Sequence, residues 1–129
     1  MIAAVGTLAG VFLVDVEDES LLGEGTEVPV AERPEVSLPR VVAAARAGAT
    51  VVAVVERRPP LMVSSDGGAT WREAGGGLPP GFAIAIAEDD PDRMLYAARN
   101  RLYVSTNGGV FWSSLPFELP DIDSLAWID

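Results

Sequence analysis

The sequence predicts an all-β fold of four-stranded antiparallel units, on three observations. An octapeptide is written twice, SSDGGATW at 64–71 and STNGGVFW at 105–112, at a spacing of 41 residues. The match extends upstream, where Leu61-Met62-Val63-Ser64 aligns with Leu102-Tyr103-Val104-Ser105. Short apolar stretches around both copies are bounded by Gly, Pro, Asn and Asp turn signals. A period near 40 residues is that of one four-stranded propeller blade.

The elements follow in chain order. Residues 1–14, MIAAVGTLAGVFLV, match the second and third strands of a unit. Residues 15–39 form a longer, acidic, turn-rich passage, with a fourth strand expected around 27–30. The next unit runs 41–46, 50–55, 61–64 and 69–72, with turns at 47–48, 57–60 and 66–68. Its first stretch, RVVAAARAG, suits a short helix as well by propensity; its place in the repeat assigns it to strand. The third unit runs 82–87, 94–98, 101–104 and 110–113, and the EDDPD segment breaks its first two strands. The C-terminal DIDSLAWID (121–129) reads as a first strand with nothing after it, complementary to the missing first strand at the N-terminus.

Within the octapeptide each residue type has a mechanical reason. Gly67-Gly68 and Gly108-Gly109 permit the positive φ of a tight turn, and Asp66 or Asn107 can accept backbone N–H bonds. Ser64, Ser105 and Thr70 offer hydroxyls to tie the arms together. Trp71 and Trp112 bring large rings worth about 2–3 kcal/mol each when buried between sheets.

Composition bounds the chemistry. The chain is 49% hydrophobic, which suffices for a packed core in one domain, and carries 19 acidic against 9 basic residues, a net charge of −10. That field repels phosphate, so neither nucleic acid nor an anionic membrane is an expected partner. All nine basic residues are arginine, and cysteine and histidine are absent. Disulfides, thiol nucleophiles, Cys/His zinc sites and Ser-His-Asp arrangements are thereby excluded. No cofactor and no metal are expected. The Asp15–Glu19 run offers carboxylates to a hard cation such as calcium, but it lacks EF-hand spacing and reads as a solvated loop. The N-terminal stretch has no basic region before its apolar run, so no signal peptide and a cytoplasmic location are expected.

With Ser64, Asp66, Gly68, Thr70 and Trp71 matching Ser-x-Asp-x-Gly-x-Thr-Trp, the chain resembles the Asp-box or BNR repeat of sialidase-like β-propellers. That repeat is also seen in sortilin-type receptors, xyloglucanases and photosystem assembly factors. The second box keeps Ser105, Gly109 and Trp112 but has Asn107 for Asp and Phe111 for Thr, a degenerate copy. The resemblance implies a structural turn between third and fourth strands, away from any active face. It also implies a six-bladed ring. Three blades are too few to close one, since propellers use roughly 4 to 8, so a homodimer is expected in which 121–129 of each chain completes the first blade of the other.

The resemblance further places function on the loops joining second to third strands and on those joining the fourth strand to the next unit. Here the loops of the first kind hold Arg57, Arg58, Arg99 and Arg101, which could grip carboxylate, sulfate or phosphate groups or pair with nearby acids such as Glu56 and Glu73. Glycosidases need positioned carboxylate pairs, and sialidases resemble one another in an arginine triad and a Tyr-Glu pair. This chain has only Tyr96 and Tyr103, both on expected packed strands, and no catalytic residue is assigned. The expected function is a non-catalytic propeller module binding a partner protein or a small anionic ligand; the alternative is a glycosidase-like or lectin-like sugar binder.

Overall fold

A computed structural model describes residues 1–128. Its twelve strands are β1 (Ile2–Thr7), β2 (Gly10–Asp15), β3 (Ser20–Glu24), β4 (Val41–Ala47), β5 (Thr50–Val55), β6 (Leu61–Ser64), β7 (Arg72–Ala74), β8 (Ala83–Ala87), β9 (Asp90–Ala98), β10 (Arg101–Ser105), β11 (Ser113–Ser114) and β12 (Ile122–Trp127). They form three four-stranded antiparallel sheets in the orders β12-β1-β2-β3, β4-β5-β6-β7 and β8-β9-β10-β11. No helix occurs among the described residues, and RVVAAARAG supplies β4.

The third sheet, β8–β11, is the middle layer. One of its faces packs on the second sheet: Val52, Val54, Leu61 and Val63 meet Ile84, Ile86, Met94 and Tyr96. Its other face packs on the first sheet, where Ala3, Val5, Val14 and Ile122 meet Ala83, Ala85, Leu95 and Leu102. Alternate residues of β8 therefore point into different cores, as the period of 2 along a strand requires. A strand buried on both faces reads as a continuous apolar run, and FAIAIA is one.

Three expectations about strands are corrected. The fourth strand of the first sheet is Ser20–Glu24, not 27–30, which has no regular structure. The acidic run is the hairpin turn that creates it: the Asp15 carboxylate accepts the N–H groups of Glu17 and Asp18, both at 3.1 Å, and Glu19 takes φ 52°. The final strands of the other two sheets begin at Arg72 and Ser113, later than expected, because the octapeptide turns hold the preceding residues. EDDPD breaks the chain only at Glu88-Asp89. Strand β9 already starts at Asp90, and a register shift between Ile86 and Ala87 leaves Pro91 outside the ladder.

The C-terminal strand was expected in the partner's first sheet. In the structure Ile122–Trp127 pairs with β1 of its own chain, Ala3 opposite Trp127 and Val5 opposite Leu125; Asp129 lies outside the described residues. The connections explain how. Segments 75–82 and 115–121 join sheets that pack directly, whereas 25–40, about twice as long, joins the first sheet to the second across the middle layer. Sixteen residues reach roughly 50 Å when extended, so closure within the chain is within reach.

Candidate functional site

Both octapeptides fold into the same hydrogen-bonded turn. In the first, the buried Ser64 hydroxyl donates to Asp66 Oδ1 at 2.7 Å and accepts the N–H of Gly68 at 2.8 Å. Asp66 in turn accepts Thr70 N–H at 2.9 Å and Thr70 Oγ1–H at 2.6 Å. These donors, those of Thr70 first, hold the Asp66 carboxyl at about 2, below its ordinary 3.8. In the second turn, Ser105 donates to Asn107 Oδ1 at 3.0 Å and accepts Gly109 N–H at 2.9 Å. Asn107 accepts Phe111 N–H at 3.0 Å, so the amide reproduces the carboxylate's backbone contact and only the threonine bond is lost. Trp71 lies against Gly68 and Trp112 against Gly109, where the Trp112 indole donates to the Gly109 carbonyl at 2.9 Å. Both carboxylate oxygens of Asp66 and its N–H are engaged within this turn.

The opposite end carries the turns between second and third strands and the connections between sheets. It is stitched by backbone bonds: Leu8 N–H to Asp121 O, Ile122 N–H to Arg99 O, Leu119 N–H to Asn100 O and Glu56 N–H to Arg40 O. The four arginines sit here in two turns. Arg57 meets Glu73 at 3.3 Å and lies 3.2 Å from Met62 Sδ. Arg101 meets Glu118 at 3.2 Å, and Arg99, at φ 55°, meets Asp121 at 3.6 Å. Arg58 has no ion pair or hydrogen bond among the described residues. Three guanidiniums are thus spent on exposed local pairs worth up to about 1 kcal/mol each, and one is available.

Arg58 stands at the rim of a groove between two loops of the expected functional face, though nothing in the sequence signals that they meet in one. Its walls are the 56–60 turn, with Arg58, Pro59 and Pro60, and the 75–82 connection, with Gly76, Gly77, Leu78 and Pro79. The only signal for the second wall was the GGGLPPG run at 75–81, which reads as turn chemistry alone. Tyr96, fully buried, supports this wall from below: its hydroxyl donates to the Pro79 carbonyl at 2.7 Å, and burial pushes its ionisation far up. Gly81 is confined by the same ring, since a Cβ there would collide with Tyr96 and the Ala97 carbonyl. Neither tyrosine is placed as a nucleophile; Tyr96 is sealed, and Tyr103 lies beside it with ring centroids 6.1 Å apart and planes tilted by 53°.

Comparison with family models gives no match, and comparison with curated proteins gives none. Among solved structures the chain is similar to a GH74 enzyme from Niastella koreensis, with TM-score 0.53 and 23% identity over 92% of this chain. It is also similar to an ancestral GH74 enzyme, with TM-score 0.52 and 15% identity over 95% of this chain. GH74 enzymes are β-propeller glycoside hydrolases. At these identities the likeness is one of fold, and the chain spans 18% of the length of either enzyme.

Proposed function

We propose that the chain is a non-catalytic binding module, half of a six-sheet ring that a second copy completes, and that its arginine-bearing end receives an anionic group of a small molecule or partner protein. The observation that carries this reading is Arg58, an unpaired guanidinium at the rim of a groove on a protein of net charge −10. An unpaired guanidinium on an acidic protein concentrates anions locally. Layering supports the proposed ring. The middle sheet is packed on both faces, and each outer sheet of the arc has one face turned away from it. Joining the first sheet of one copy to the second sheet of another, twice, closes the arc about a two-fold axis.

Calorimetric titration with sodium acetate and sodium sulfate tests the site. Binding that Arg58→Ala abolishes and Arg101→Ala leaves intact is the expected outcome; affinity unchanged in Arg58→Ala overturns it.

The likeness to GH74 enzymes favours a second reading, a glycosidase-like or lectin-like sugar binder. The groove gives it little support, because its lining holds neither a carboxylate pair nor an aromatic platform. Turnover of chromogenic glycosides, or retention on a glycan array, would move the assignment to that reading.

A further inference from the structure

We infer that the groove beside Arg58 takes the C-terminal end of an apolar peptide, the free carboxylate meeting Arg58 and the N–H groups of Gly76 and Gly77. This rests on the reading of this end as a binding face and goes further in naming the ligand class. Three features of the groove converge on it.

The polar complement suits a carboxylate. Leu78 N–H donates to the Gly75 carbonyl at 3.0 Å, closing a turn whose central residues are Gly76 and Gly77, the latter at φ 88°. The N–H groups of Gly76 and Gly77 have no acceptor among the described residues. A guanidinium and two unclaimed backbone donors among the lining residues suit the two oxygens of a terminal carboxylate, a recurring mode of peptide-end capture.

The remaining lining suits an apolar chain. Pro59, Pro60, Leu78 and Pro79 present neither side-chain hydroxyl nor amide. Against these four residues sugar hydroxyls would find no side-chain partner to replace water. An inorganic anion would leave the apolar walls unused.

The walls are also held before any ligand arrives. Pro60 O accepts Val55 N–H at 2.8 Å, and Pro79 O accepts the Tyr96 hydroxyl. A preformed groove spares a peptide part of the ordering cost of binding.

The test uses ¹⁵N-labelled full-length protein and a pool of acetylated hexapeptides ending in Leu, Val, Ile or Phe, each as free acid and as C-terminal amide, with sodium acetate alongside. Expected are shifts of the Gly76 and Gly77 amide signals, affinity for the acids at least about tenfold above that for the amides and acetate, and loss of at least tenfold in Arg58→Ala. Gly76→Pro should weaken the acids severalfold at unchanged melting temperature, because proline suits the second position of this turn and removes only the donor. Arg99→Ala should bind as the parent does. Amides binding as well as acids would overturn the inference. Acetate binding as tightly as the acids would overturn it while leaving the anion site of the preceding section standing. No binding of any probe would remove both.

Discussion

At the scale of single residues, the two boxes separate chemistry from mechanics. The Asp66 carboxylate accepts three hydrogen bonds, one from the Ser64 hydroxyl and two from Thr70, while its own N–H donates to Ser64 Oγ. Because its folded value of about 2 lies below the ordinary 3.8, it stabilises the fold fully above about pH 4, and that contribution is lost as pH falls toward 2. Asp66→Asn should therefore flatten the acid limb of stability between those values, measured by urea melts across pH; an unchanged limb would show that the turn is not coupled to folding. The serines matter on different grounds. Ser64 and Ser105 are each 1% exposed and each hold a glycine N–H, so Ser64→Ala and Ser105→Ala should each cost about 1–3 kcal/mol in denaturant unfolding. Their roles were legible in the octapeptide because every partner lies within four positions along the chain. Arg58 was legible only as one of four arginines, since the choice among them depends on Glu73, Glu118 and Asp121 arriving from distant sequence.

Among elements, the connections between sheets do more than cross a gap. The 75–82 connection forms a groove wall on one side and rests on Tyr96 on the other. Gly81→Ala should force that ring to move, costing about 1–3 kcal/mol as overpacking does, and should disturb the Gly76 and Gly77 amide signals; a neutral substitution would mean that the wall yields freely. Strand positions were read well where apolar runs meet in a core, as in β5, β6 and β8. They were read late or early where turns decide. Ala69 and Thr70 look like strand, but the Asp66 carboxylate keeps Thr70 in the turn. Ser20–Glu24 went unread because Asp15 to Glu19 resembled a charged loop and is the turn of a hairpin.

For the whole molecule, the open question of assembly has a direct readout because the chain contains no cysteine. Ala4 and Ala126 face each other between β1 and β12. The double variant Ala4→Cys, Ala126→Cys should oxidise to a cross-link within one chain and run as a monomer on a denaturing gel, while light scattering of the unmodified protein gives twice 13.6 kDa. A monomeric mass in solution would remove the two-copy ring. Cutting the 25–40 connection to the length of 75–82 should forbid closure across the middle sheet, and the same cysteine pair should then cross-link two chains. Persistent cross-linking within the chain would refute the account of the long connection.

Sequence alone determined the repeat, the strand content, the box turns and the chemistries excluded by missing residue types. These follow from local rules: turn residues set φ over a few positions, apolar alternation sets which faces are buried, and an absent side chain can do nothing. Tertiary structure alone decided that β12 closes on its own chain, that the long connection crosses the middle sheet, and that Arg58 rather than its three neighbours stays unpaired. Each of those depends on which distant segments meet, and a reach of roughly 50 Å in one connector is compatible with more than one meeting until the sheets pack.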